Sequence, residues 1–311
     1  MHGARQGTVH TDDTHGSGMG PVPDTHGGHR MKIALLGVGR MGHELGLHLI
    51  GAGHELTAWN RTASAVERLR DAGAAQAQSP EEAVADAEVV MTVLFGPDTV
   101  REVVLSGLEL PAEAVWLDVT TVAPEDAREF ADYATAAGIR YVHGPVIGSL
   151  APARAGQLGV LLGGAPGDVD VVEPLAALWA DAERLRRVDT AQDAATGKLL
   201  ANLALGVSLQ GLVEALRLGR ANGLDAGAVL DLLKGTGLDV IAGMKGAVIT
   251  EGTFEDTQFS ADLLAKDARL ILRSTPDPLP AVTALLQSLT EAQRAGSGDA
   301  DIAVIAKPEL T

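Results

Sequence analysis

The chain has 311 residues, 46% of them hydrophobic, and a formal net charge of -17. That acidity argues against a nucleic-acid partner, which needs clustered Lys and Arg, and the short, interrupted apolar runs predict no membrane-spanning helix. Zero cysteines exclude disulfides, thiolate nucleophiles and Cys-ligated metals, and fit a reducing, cytoplasmic setting.

Residues 1–30 carry His2, His10, His15, His26 and His29 but almost no large apolar side chain, so they read as a disordered leader rather than a metal site. They lack the apolar centre of a secretory signal. The folded part is expected from Met31. From Lys32 short apolar runs alternate with Ala-rich stretches, which predicts an α/β, doubly wound, mainly parallel sheet. Strands are expected at Lys32–Leu36, Glu55–Trp59, Glu88–Leu94, Ala114–Val119, Arg140–Val142, Gly159–Leu162 and Arg184–Val188. Ser79-Pro80 and Pro124 read as helix starts. This first domain spans residues 31–188. From Asp189 no strand-like run follows. Ala194–Leu218 reads as one long interdomain helix with apolar residues on nearly every face, stopped by Asn222-Gly223. Further helices are expected over Ala226–Lys234, Gly237–Ile249, Ser260–Ser274 and Pro280–Ala295, making residues 189–311 an all-α domain. A helix apolar all round points to cover by a second copy, a homodimer.

The strongest motif is Gly37-Val38-Gly39-Arg40-Met41-Gly42, a G-x-G-x-x-G between a strand and a helix. Its glycines permit a tight turn, the approach of a pyrophosphate and close packing of the helix, the pattern of a Rossmann dinucleotide site. At the end of the second strand stand Asn60, Arg61 and Thr62, where an NAD enzyme places a carboxylate for the ribose hydroxyl. A guanidinium and neutral donors suit a 2′-phosphate, favouring NADP(H), although Arg61 also reads as a solvated charge at a helix start.

GVGRMG, WNRT, DVTTVAP, GPVIGSLAPARAGQL, GKLLAN and the pair Lys266-Asp267 together resemble the β-hydroxyacid dehydrogenase family over nearly all of the chain after Met31. The spacing from Gly148 to Leu158 is most similar to the glyoxylate/succinic semialdehyde reductases of the 3-hydroxyisobutyrate dehydrogenase-like group. Imine reductases share the architecture. The resemblance implies Lys198 as proton donor to a small carbonyl substrate, with Asn202 four residues on along the same helical face. It implies a substrate cleft lined by Thr121, Ile147, Gly148, Asn202, Phe259 and Asp267, and cofactor contacts from Leu94, Thr121 and Lys266 besides the glycine turn. Other roles stay open: a snorkelling Lys198, Thr121 as a helix cap, Phe259 in a core, and Asp267 in a salt bridge.

Two departures stand out. Ile147 occupies the place of the family's usual Ser, which predicts that the substrate is not glyoxylate or succinic semialdehyde but a compound presenting an apolar group to this loop. Gln192 and Ala194 replace glycines before Lys198. Imine reduction, which in that group places Asp or Tyr at the Lys198 position, and a non-catalytic NADP(H)-binding scaffold are the alternatives. No HExxH, G-x-S-x-G or metal-ligand spacing occurs.

Overall fold

A computed structural model describes residues 29–310; the expected leader, apart from His29 and Arg30, lies outside the described residues. Nine strands form one sheet: β1 (Lys32–Leu36), β2 (Glu55–Trp59), β3 (Ala75–Gln76), β4 (Val89–Thr92), β5 (Val115–Asp118), β6 (Arg140–His143), β7 (Val146–Ile147), β8 (Leu158–Gly164) and β9 (Ala180–Val188). The order β3-β2-β1-β4-β5-β6 is parallel throughout. β8 then runs antiparallel to β6 and β7 and parallel to β9. Helices on both faces explain why β4 and β5 are buried at every residue and read as unbroken apolar runs. The two-residue strands β3 and β7 escape a sequence reading, since two residues show no alternation.

The order reverses between β1 and β4, and a ligand crevice opens at the carboxyl ends of such a pair. Two of the three motif glycines are enforced sterically. Gly37 has φ +103°, and a Cβ there would lie 2.4 Å from the Val93 carbonyl; one on Gly42 would lie 2.2 Å from the Gly37 carbonyl.

The long helix runs Ala191–Ala221, capped by Thr190, whose Oγ1 accepts from Asp193 N–H at 3.1 Å. Contrary to the sequence expectation, its length, with one 18-residue stretch at a mean hydropathy of 1.6, would suit a membrane crossing. It is instead a core helix: it packs on β8 and the Pro124–Ala137 helix on one side and on the Ala261–Arg273 and Pro280–Arg294 helices on the other. Gly197 makes the first contact possible, since a Cβ there would meet Leu161 Cδ1 at 2.4 Å. The helical part has its own core, including Leu209, Leu212, Leu216, Leu264, Leu285 and Ile302. A 3-10 segment, Ile302–Leu310, closes this core and was not expected.

Ion pairs tie the two parts together. Asp126, 2% exposed at its side chain, accepts from Arg101 at 2.6 Å and from Arg273 of the Ala261–Arg273 helix. Its Oδ2 also accepts from Ala123 N–H at 2.9 Å, so Asp126 and not Thr121 caps the Pro124–Ala137 helix. The capping role considered for Thr121 is therefore corrected: the cap position falls on Ala123, which has no hydroxyl, and the acidic side chain inside the first turn reaches back to the Ala123 N–H.

Candidate active site

A cleft of about 630 Å³ opens over the β1–β4 crevice. Gly37, Gly39, Arg40, Met41 and Gly42 form its floor, and Asn60, Arg61 and Thr62 stand at the end of β2. A Cβ on Gly39 would meet nothing within 4 Å, so this glycine leaves open space where a phosphate must approach. The Arg40–Gly51 helix begins there with no side-chain cap and no acidic residue in its first turn, leaving its positive end to an anion. These features fit a dinucleotide.

Two cofactor expectations change. Val38 does not line the cleft, and its N–H donates to Asn60 Oδ1 at 3.0 Å, while Asn60 Nδ2 donates to the Thr62 carbonyl at 3.0 Å. Asn60 thus braces the glycine turn, leaving Arg61 and the Thr62 hydroxyl as the polar groups beside β2. Arg61 is 80% exposed at its side chain and lies 3.9 Å from Glu102 across the cleft.

A smaller chamber of about 120 Å³ continues from the cleft, sharing Arg40, Met41, Val93, Leu94, Phe95, Ser260 and Leu263 with it. Lys198, Thr121, Gly148, Phe259, Lys266 and Asp267 all line it. Lys198 is buried at 7% exposure and donates from Nζ to Asn202 Oδ1 at 3.2 Å. Asn202 Nδ2 donates in turn to Asp267 Oδ2 at 2.6 Å. Burial pushes the Lys198 ammonium down from its ordinary 10.5 to about 8; the Asp267 charge opposes that shift and the Lys266 charge adds to it. Asn202 stands behind the lysine and not on the chamber wall.

Leu94 is fixed by its N–H, which donates to Thr120 Oγ1 at 3.0 Å. Thr120 N–H donates to the buried Asp118, also at 3.0 Å, so the loops after β4 and β5 are laced together. Lys266 Nζ lies 2.7 Å from Asp267 Oδ1, donates to the Thr121 carbonyl at 3.3 Å and sits 5.8 Å from the Phe95 ring centre.

Ile147, like Asn202, is not brought to this wall. Val146, Gly148 and Ser149 line the chamber, whereas Ile147 pairs with Gly159 on β8, and a Cβ there would lie 3.3 Å from the Ile147 Cβ. Alternation along β7 turns Val146 inward and Ile147 to the other face. Sequence reasoning missed Ser149, two residues beyond Ile147, and Gln258, beside Phe259, both on the chamber wall. It also missed Asp299, which holds Arg40 at 3.0 and 2.8 Å from a position 259 residues away. Among the described residues no group of three or more His, Cys, Asp or Glu comes together as a metal site.

Residues 32–187 match the family model for the NAD binding domain of 6-phosphogluconate dehydrogenase, and residues 193–308 that for the NAD-binding domain of NADP-dependent 3-hydroxyisobutyrate dehydrogenase. The chain is 30% identical to an oxidoreductase of Shewanella frigidimarina, over 84% of this chain and 92% of that protein. It is 28% identical to glyoxylate/succinic semialdehyde reductase 1 of Arabidopsis thaliana, over 88% and 97%. The solved structure of Mycobacterium tuberculosis 3-hydroxyisobutyrate dehydrogenase with L-serine superposes with a TM-score of 0.79 at 24% identity, covering 91% of this chain and all of that one. The glycine turn, the chamber and these matches agree: the chain belongs to the β-hydroxyacid dehydrogenase family and is an NAD(P)-dependent oxidoreductase.

Proposed function

We propose that the protein reduces a small aldehyde or ketone, or oxidises the corresponding hydroxy compound, with NADP(H) as cofactor and Lys198 as proton donor in reduction and acceptor in oxidation. The observation that carries this reading is Lys198: a buried ammonium lowered to about 8, on the wall of a chamber continuous with the dinucleotide cleft. A bound nicotinamide supplies or takes up the hydride. Lys198 then meets the charge that develops on the carbonyl oxygen, stabilises it and hands over a proton. A value near 8 suits both directions at neutral pH, where a lysine at 10.5 would seldom be free to accept. Asn202 and Asp267 hold the ammonium in place.

Arg61 and the Thr62 hydroxyl, with no carboxylate at the end of β2, support NADP(H) over NAD(H). Following NADPH oxidation against aldehydes, keto acids, ketones and cyclic imines tests the reading. Turnover with carbonyls supports it; turnover with imines alone, or with nothing, overturns it in favour of an imine reductase or a scaffold.

Leu200, Leu218, Leu232, Val240 and Met244 are exposed on three helices, two of which pack on the third. That apolar surface supports a homodimer, which sedimentation would reveal, and the absence of cysteine supports work in the cytoplasm.

A further inference from the structure

Both guanidiniums that line the dinucleotide cleft are met by carboxylates that line it too. Arg61 lies 3.9 Å from Glu102, and Arg40 donates from Nη1 and Nη2 to the two oxygens of Asp299 at 3.0 and 2.8 Å. Among the described lining residues Glu81, Glu102, Asp262 and Asp299 set four negative charges against these two positive ones, although a dinucleotide brings phosphates of its own.

The Arg40–Asp299 pair stands where those phosphates arrive. Arg40 opens the Arg40–Gly51 helix, beside the open space at Gly39 and the uncapped helix end. A pyrophosphate there offers Arg40 the same forked acceptor that Asp299 fills. Asp299 comes from the helical part on a fixed backbone. Its carbonyl accepts from Thr257 Oγ1 at 2.8 Å, and the Gly298 carbonyl accepts from Asp262 N–H, also at 2.8 Å. Gly298 permits that approach, since a Cβ there would lie 2.3 Å from Asp262 Oδ1. The Asp299 side chain itself is 84% exposed, so water takes over its carboxylate once Arg40 turns away, and the exchange costs little.

We propose that Asp299 competes with the cofactor's pyrophosphate for Arg40. Binding exchanges a carboxylate for a phosphate on one guanidinium, and Asp299 holds cofactor affinity below what Arg40 alone would give. This rests on the cleft being the dinucleotide site, and neither on the choice between NADP(H) and NAD(H) nor on Lys198. The pyrophosphate is common to both cofactors, so the competition applies to NADPH and NADH alike, whereas Arg61 concerns the 2′-phosphate alone.

The test is calorimetric titration of NADPH and NADH into the parent protein, Asp299→Asn, Arg40→Met and the double variant. Asn keeps the size of Asp without its charge, and both side chains reach solvent, so the fold is retained. Asp299→Asn should tighten both cofactors by about 2- to 5-fold, the worth of an exposed ion pair that binding no longer breaks. Arg40→Met should weaken both by about 10-fold, the lower end for a charge-assisted hydrogen bond. In the Arg40→Met protein, Asp299→Asn should change affinity by less than about 1.5-fold, because nothing is left to compete for. An equal gain from Asp299→Asn in both backgrounds makes Asp299 a bulk charge and overturns the proposal. So does no gain, or a loss, in the parent background, which makes Asp299 a brace for Arg40, and so does unchanged affinity in Arg40→Met. Each ratio is taken within one cofactor, so a preference for NADH would count against the NADP(H) reading and leave the comparison to decide Asp299.

Discussion

Asn202 connects Lys198 to Asp267: its carbonyl oxygen accepts from the ammonium at 3.2 Å and its amide donates to the carboxylate at 2.6 Å, across 65 residues of chain. The Asp267 charge therefore favours the ammonium against the burial that disfavours it. Asp267→Asn removes that support, so Lys198 should titrate lower still, by about one unit. The alkaline limb of kcat/KM for carbonyl reduction should move to lower pH by that amount. An unmoved limb would mean that Asp267 acts only on Lys266, its 2.7 Å neighbour.

Lys198→Ala should lower turnover by about 10²–10⁴-fold while leaving cofactor affinity nearly intact, since Lys198 does not line the dinucleotide cleft. Lys198→Arg should not rescue it, because a guanidinium hardly releases its proton. In the parent protein the two directions should mirror each other. Reduction needs the ammonium and should fall as pH rises through about 8, whereas oxidation needs the free amine and should rise through the same value. A common break near 10.5 would place Lys198 in solvent-like surroundings and sink the assignment.

The glycine turn and the Lys198–Asn202 pair were legible in sequence because their causes are local: steric room at Gly37 and Gly42, and helical spacing at four residues. Thr121, Gly148, Phe259, Lys266 and Asp267 came to the chamber wall through the family resemblance and not through any local pattern, and other contacts were not legible at all. Asp299 meets Arg40 only because residues 297–302 pack beside 254–262, a pairing with no local trace. Likewise β7 is two residues long, so nothing in the chain announces that Val146 faces inward and Ile147 outward. The partners of Asn60 also hid its role, since a short amide reads equally as a phosphate donor or as a brace.

Arg61 stands 3.9 Å from Glu102, so a 2′-phosphate must share or displace that carboxylate. Because both side chains are well exposed, preference for NADPH over NADH should fall at the lower end of the usual range for a charged hydrogen bond, about 1.5 kcal/mol. Arg61→Ala should erase most of it, and Glu102→Gln should enlarge it. Fluorescence titration of both cofactors checks this, and equal affinities in the parent protein would contradict the NADP(H) reading.

Asp126 is a stability residue with a reach across both halves of the molecule. Asp126→Ala leaves Arg101 and Arg273 without their shared buried partner and the Pro124–Ala137 helix without its cap. Because both arginines keep some contact with water, the cost should be about 2–3 kcal/mol, below that of a fully buried pair. Chemical denaturation measures it, and a loss under about 0.5 kcal/mol would mean that neither contact persists in solution.

Substrate preference at the loop after β6 turns on which side chains face the chamber. From sequence, Ile147 in place of the family's usual Ser predicted a handicap for small carboxylated aldehydes, and Ile147→Ser a gain. The structure redirects that expectation, because Ile147 lies over Gly159 and the chamber is lined instead by Val146, Gly148 and Ser149. Ile147→Ser should therefore alter the ratio of kcat/KM for glyoxylate to that for an uncharged aldehyde of similar size by less than about threefold, while removing packing worth about 1 kcal/mol. Ser149 can offer its hydroxyl to a carboxylate, so Ser149→Ala should lower the glyoxylate ratio by about 10-fold, the usual effect of losing one hydrogen bond to a charged group. If Ile147→Ser raises the ratio and Ser149→Ala leaves it alone, β7 presents its other face to the substrate and the inward assignment of Val146 is wrong.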